Sequence, residues 1–214
     1  MTLELFASHE ASRQPLGPGA AILRGFARAR ADALLDAVEA ITSAAPFRHL
    51  VTPGGHRMSV AMTNCGARGW TSDTGGYRYR EVDPDSGRAW PPMPAIFAAL
   101  AREAAAELDF ADYEPDACLV NRYVPGSKLS LHQDLDERDG VAPIVSVSLG
   151  IGATFLWGGA ERSDRTIAYP LAHGDVVVWG GPSRHRFHGV RPVPDDCHAR
   201  TGRARINLTF RRTR

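Results

Sequence analysis

Apolar side chains alternate with polar ones in short runs through the second half of the chain, and recur at helical spacing in two stretches of the first half. The clearest run is residues 203–211, where Ile206, Leu208 and Phe210 fall on one face of a strand and Arg205, Asn207, Thr209 and Arg211 on the other. From Tyr113 onward similar runs recur between turn residues, at 117–124, 144–149, 154–157, 166–171, 175–179 and 187–193. No helical period interrupts them, so this half is predicted to be a β-sandwich or barrel.

In the first half, Leu34, Leu35, Val38 and Ile41 predict an amphipathic helix over 28–41. Ile96, Phe97, Leu100, Ala104 and Leu108 predict a second, with Pro94 at its first turn. The segment Gln14-Pro-Leu-Gly-Pro-Gly19 is a Pro/Gly-rich entry to the first of these helices. Residues 46–92 read as loops and hairpins, with turn signals at Pro53-Gly-Gly55, Gly75-Gly76 and Asp85-Ser-Gly87. The expectation is an α+β fold, mainly β. Residues 1–112 supply helices and a lid, and 113–214 a β core, in one compact unit.

Composition adds little to the fold but shapes the search for chemistry. Of 25 basic residues all but Lys128 are arginine, against 24 acidic ones. Nine of those arginines lie in 184–214 beside only Asp195 and Asp196, a locally basic stretch able to steer an anionic polymer. Three cysteines at wide spacing, Cys65, Cys118 and Cys197, offer no zinc or dithiol motif and fit a reduced, cytoplasmic protein. The segment Met1–Phe6 has no basic, apolar targeting pattern, and no run is long enough to span a membrane.

The candidate chemistry begins at His132-Gln-Asp134. A histidine and a carboxylate two apart project from one side of a strand, and a distant histidine can complete a three-ligand face on one metal. Such a tripeptide alone is a weak signal. His185 and His188 compete for the third place; His188 is preferred because Gly189 permits close backbone approach, leaving His185 as a turn residue. Two histidines and a carboxylate suit iron(II) with positions left open.

Arg205 and Arg211, with the Asn207 amide between them, would face the same pocket, and arginine forks match carboxylates. Iron plus a dicarboxylate points to 2-oxoglutarate, with dioxygen as the other cosubstrate. Asn121 and Tyr123 read as donors to that diacid, or else as a satisfied buried polar pair. Ser146, Asp175 and Trp179 read as packing or turn residues, with lining of the same pocket as the alternative.

These residues, with Asn121-Arg-Tyr123, Gly174-Asp-Val-Val-Val-Trp179-Gly-Gly181 and, in the front half, Val51-Thr-Pro-Gly-Gly55, Met58-Ser-Val-Ala-Met-Thr-Asn-Cys65 and Gly69-Trp70, resemble the AlkB family of iron(II)- and 2-oxoglutarate-dependent alkylation-repair dioxygenases. The resemblance covers nearly the whole chain. It implies a double-stranded β-helix, or jelly roll, with a nucleotide-recognition lid. It implies that His132, Asp134 and His188 are iron ligands, that Arg205 and Tyr123 hold the distal carboxylate of 2-oxoglutarate, and that Asn121 and Arg211 hold the end nearest iron, supported by Asn207. On the substrate side it implies that Trp70 stacks on a flipped base opposite His132 and that Asp136 contacts the exocyclic amine. Tyr77 would meet a phosphate, and Met62 and Arg162 would line the base pocket, with Arg165 as an alternative to Arg162. The implied reaction is oxidative demethylation of 1-methyladenine and 3-methylcytosine, preferentially in single-stranded DNA, by a monomer. The alternative substrates are double-stranded DNA, tRNA or other RNA, a protein or a small molecule.

Overall fold

Thirteen strands and two helices form among residues 12–214, the part of the chain that the computed structural model describes. The segment Met1–Phe6 lies outside the described residues. The strands are β1 Arg13–Gly17, β2 Ala20–Leu23, β3 Ala61–Gly66, β4 Gly69–Asp73, β5 Gly76–Arg80, β6 Ala117–Tyr123, β7 Leu129–His132, β8 Ile144–Gly150, β9 Ala153–Trp157, β10 Ile167–Leu171, β11 Val176–Trp179, β12 His188–Val190 and β13 Arg205–Arg211. The helices are α1 Ala31–Ala44 and α2 Ala95–Ala106.

A seven-stranded sheet of order β1-β2-β11-β8-β13-β6-β3 faces a four-stranded sheet of order β10-β9-β12-β7, the jelly roll expected. Alternation decides what each face meets. Ile206, Leu208 and Phe210 of β13 turn toward the helices and join Leu34, Val38, Phe97 and Leu100 in the main core, where Phe97 meets Phe210 edge-on at 5.7 Å. The opposite face of the same strand lines the space between the sheets. A smaller core of Ile22, Ile144, Phe155, Trp157, Val177 and Trp179 fills part of that space, and a third apolar cluster, with Met62, Leu119, Tyr123, Ile151 and Val190, packs separately from it.

Both helices form where the periodicity placed them, with shifted bounds: the first runs Ala31–Ala44 rather than 28–41, its first three expected residues forming a 3-10 turn. The second ends at Ala106, and Leu108 stays buried beyond it, because the chain turns through the left-handed backbone of Asp109.

The Pro/Gly-rich lead-in, to which the sequence assigned no element, forms the β1–β2 hairpin, added to the edge of the large sheet. Pro15 is tolerated there because an edge strand leaves one side of its backbone unpaired. Gly19 makes the turn with φ +68, and a Cβ there would stand 2.8 Å from the Gly180 carbonyl oxygen.

The front half therefore supplies both edges of the large sheet, β1–β2 at one side and β3 at the other, and the separate two-stranded hairpin β4–β5. Among the described residues no helix is long and apolar enough to cross a membrane.

Candidate active site

Strands β7 and β12 lie side by side with His132 directly opposite His188, which brings the two imidazoles to 4.4 Å between centroids. The pairing requires the glycine at 189, since a Cβ there would press on the Leu129 carbonyl oxygen at 2.7 Å and the Leu131 nitrogen at 3.2 Å. Asp134 follows two residues after His132. Its carboxylate oxygens lie 3.6 Å from His132 Nε2 and 3.7 Å from His188 Nε2. Donor atoms of all three residues fall within 4.8 Å of one another. His185 is exposed in the preceding turn, as expected.

Both imidazoles are oriented by backbone. His132 Nδ1 lies 2.9 Å from the Ser130 carbonyl and His188 Nδ1 3.0 Å from that of Arg186. A carbonyl only accepts, so each Nδ1 carries the proton and each Nε2 turns its lone pair toward Asp134. Burial, and then the neighbouring His132, push the His188 pKa down to about 4, which keeps that ring neutral. For His132 burial also presses downward, but the Asp134 carboxylate outweighs it and the net shift is upward. Burial would raise the Asp134 pKa, yet the Arg211 guanidinium and the two imidazoles hold it well below the usual carboxylate range. An ionised carboxylate and two imidazole nitrogens converging on one point fit a divalent iron better than a harder, all-oxygen cation.

Across the sheet, β6 and β13 pair in register, Arg205 against Tyr123 and Asn207 against Asn121. Arg205 is 2% exposed. One of its amino groups donates to Ser148 Oγ at 2.8 Å, and its guanidinium carbon stands 4.9 Å from the centre of the Tyr123 ring. Its Nε and Nη1 have no hydrogen-bond partner among the described residues. A buried guanidinium with two idle donors and no carboxylate is built to receive one, which fits 2-oxoglutarate. Asn207 is held by donation to Ser146 Oγ and the Val147 carbonyl, and its own oxygen accepts from Asn121 and Thr209.

Arg211 behaves differently from Arg205. It donates to Asp134 Oδ2 at 3.0 Å, and its Nε lies 3.2 Å from Glu137 Oε1. It thus braces the Asp134 carboxylate directly. Asp175 follows a turn, and Ser146 lies on the face of β8 that meets Asn207. Asp175 accepts from Arg24 and from the backbone of Gly25 and Ala172, and Ser146 accepts from Asn207. The Trp179 ring lies 4.8 Å from that of His188.

At the mouth, Trp70 sits on hairpin strand β4 and donates from Nε1 to Asp136 Oδ2 at 2.7 Å. Tyr77, 47% exposed on the partner strand, stacks on the Trp70 ring at 5.4 Å and 18°. Met62 is buried on β3 in the apolar cluster that touches Trp70 and Tyr123. Arg162 lies in an exposed turn between β9 and β10, and the structure brings it to none of the other site residues. Arg165 is exposed in the same loop.

Several residues of the site carried no sequence signal. Asn64 grips the Trp70 backbone twice at 3.0 Å, through its amide nitrogen and its carbonyl oxygen. Glu137 is buried among Tyr79, Arg184 and Arg211. Only an acidic residue directly after Asp136, in a loop that must fold against the metal ligands, hinted at it.

The arginines of the basic C-terminal stretch divide into buried, paired and unpaired ones. Arg184, Arg205 and Arg211 are buried. Arg200, Arg203 and Arg212 are spent on Asp36, Asp195 and Asp139 at 2.6, 2.6 and 2.5 Å. Six of the nine arginines are thus buried or paired with an acidic side chain, which leaves Arg186, Arg191 and Arg214, without one among the described residues, to face a polymer.

Over residues 19–211 the chain matches the 2OG-Fe(II) oxygenase superfamily. It is 54% identical over 209 residues to the alpha-ketoglutarate-dependent dioxygenase AlkB of Salmonella typhimurium, covering 98% of this chain and 97% of that protein. To the protein of the same name from Escherichia coli it is 52% identical over the same shares. The solved structure of OsALKBH1 superposes with a TM-score of 0.82 at 30% identity, covering 94% of this chain and all of the other.

Proposed function

This chain belongs to the AlkB family within the 2OG-Fe(II) oxygenase superfamily, and from that membership we propose that it removes alkyl groups oxidatively from bases of nucleic acid, with 1-methyladenine and 3-methylcytosine as substrates. When bound, iron(II), 2-oxoglutarate and dioxygen supply the chemistry, namely decarboxylation of the keto acid coupled to insertion of oxygen into a C–H bond. The hydroxylated N-methyl group then leaves as formaldehyde and the base is restored.

The residues divide the work. His132, Asp134 and His188 hold the metal. Arg205, backed by Tyr123, takes the distal carboxylate of 2-oxoglutarate, while Asn121 and Arg211 face its other end and Asn207 fixes the amide between them. Trp70 presents an aromatic face, and Asp136 a carboxylate, to a base whose methylation gives it a positive charge. Met62 closes the base pocket and Tyr77 meets a phosphate; Arg162, expected from the resemblance to line the base pocket, lies in an exposed turn between β9 and β10 and is here given a phosphate instead. Residues 1–112 serve as buttress and recognition lid for the oxidising core in 113–214.

One observation carries the reading: a cation-binding triad, a buried arginine without a carboxylate and an aromatic–acid pair all converge on one cleft between the sheets. A methyl group reaches that cleft only outside a base stack, so single-stranded DNA is the favoured substrate. RNA is the second reading, and the enzyme acts as a monomer in the cytoplasm.

The test is mass spectrometry of a 3-methylcytosine oligonucleotide incubated aerobically with protein, iron(II) and 2-oxoglutarate, as single-stranded DNA, duplex DNA and RNA in parallel. Loss of one methylene mass per lesion with formaldehyde release is expected, fastest on single-stranded DNA. Succinate formation with no change in any methylated strand would reject the substrate class.

A further inference from the structure

We propose that Tyr79 and Glu137 form a clasp that holds the base-stacking hairpin over the metal loop, making Glu137 a positioning residue for capture of the methylated base. The inference rests on the base-pocket reading above. It begins from register: Trp70 and Tyr79 lie directly opposite each other on β4 and β5, so both side chains leave the same face of the hairpin. Two consecutive carboxylates of the metal loop meet them, Asp136 accepting from Trp70 Nε1 at 2.7 Å and Glu137 accepting from the Tyr79 hydroxyl at 2.5 Å.

The two bonds differ in their surroundings. Asp136 is exposed, so its bond to Trp70 can open when a base offers its amine. The Glu137 side chain is 2% exposed, and its charge is met by Arg184 Nη2 at 2.8 Å and Arg211 Nε at 3.2 Å. Arg184 also donates to the Asp134 carbonyl at 2.9 Å and Arg211 to the Asp134 carboxylate. Glu137 therefore ties the hairpin to the two arginines that brace the metal ligand. With that anchor in place, Asp136 can exchange Trp70 for the base while the Trp70 ring stays at its post.

The clasp is tested with Tyr79→Phe, which deletes one hydroxyl and nothing else, beside Glu137→Gln, which keeps an oxygen for Tyr79. Metal-free protein is digested briefly with trypsin, whose sites at Arg78 and Arg80 flank Tyr79, and KM is measured separately for the methylated oligonucleotide and for 2-oxoglutarate. Losing a hydrogen bond to a charged group should speed cleavage of the Tyr79→Phe hairpin about tenfold and raise the oligonucleotide KM about tenfold. The 2-oxoglutarate KM and the melting temperature should hold, and Glu137→Gln should keep the wild-type trypsin protection. Wild-type protection of Tyr79→Phe, or a parallel rise in both KM values, would overturn the clasp. If the wild-type protein releases no formaldehyde, the functional reading fails instead, and the trypsin comparison still decides the clasp.

Discussion

Arg205 and Tyr123 stand opposite each other across the β6–β13 ladder, with the guanidinium 4.9 Å from the ring centre and the tyrosine 1% exposed. The aromatic face offsets part of the cost of burying a cation, but two guanidinium donors remain idle among the described residues. Burial accordingly lowers the Arg205 pKa from its ordinary value. The free protein thus carries a buried cation with donors left to receive a carboxylate.

Replacing that cation should separate stability from ligand binding. Arg205→Met removes an uncompensated buried charge, so the melting temperature of the free protein should hold or rise. The 2-oxoglutarate KM should climb on the order of a hundredfold, the value of about 3 kcal/mol for a charge-assisted pair. Thermal melts with and without 2-oxoglutarate in the absence of oxygen check this, because a ligand that binds only the folded state raises the melting temperature. An equal rise in wild type and variant would show that the diacid binds elsewhere.

How far the sequence carried the site follows from the range of the contacts involved. The convergence of His132, Asp134 and His188 was legible because a period-two strand fixes His132 and Asp134 relative to each other, and because Gly189 marks where another backbone comes close. The cationic face of β13 was legible for the same reason. The β1–β2 hairpin was not, since Pro15, Gly17 and Gly19 are turn signals that an edge strand happens to tolerate. Tyr79 and Glu137 were not either, being 58 positions apart with nothing local to mark their bond. The arginines of 184–214 were visible as a density but not as charges already matched by Asp36, Asp139 and Asp195.

The two histidines predict how metal affinity depends on pH. His188 stays neutral down to about pH 4, so no proton competes for it above that value. Asp134 is ionised throughout, its pKa being held well below the usual range. His132 is the exception: its pKa is raised above the ordinary imidazole value, so at and below that pKa a proton on Nε2 must leave before metal binds. As pH falls from neutrality toward 5, affinity for iron(II) or cobalt(II) should drop about tenfold per unit, with release of about one proton. Anaerobic calorimetry in buffers of different ionisation heat measures that number, and a value near two would contradict the assignment.

Gly189 offers a test of the scaffold. Gly189→Ala places a methyl group against the Leu129 carbonyl oxygen and the Leu131 nitrogen, both backbone atoms that cannot swing aside. The β7–β12 pair must part, and with it the His132–His188 pair. The expected result is a loss of about 1–3 kcal/mol in stability, the usual range for overpacking, together with weaker metal binding. Chemical denaturation and cobalt titration read the two effects, and unchanged cobalt affinity would show that the histidines do not depend on this strand spacing.

Contacts with nucleic acid can be assigned by salt dependence, which counts phosphates neutralised irrespective of sequence. Arg203 is occupied by Asp195 at 2.6 Å, whereas Arg162 has no acidic partner within ion-pair distance among the described residues and is proposed to meet phosphate. Arg162→Ala should therefore lower the slope of log affinity against log salt by about 0.7 for a single strand, the contribution of one phosphate contact. Arg203→Ala should leave the slope where it is, because the freed Asp195 adds repulsion that acts equally on every strand without removing a bound phosphate. Fluorescence anisotropy of a labelled oligonucleotide across a salt series, in the absence of oxygen, gives both slopes. A fall with Arg203→Ala but not with Arg162→Ala would move the polymer's path from the loop between β9 and β10 to the segment before β13, and with it the direction from which the base enters the cleft.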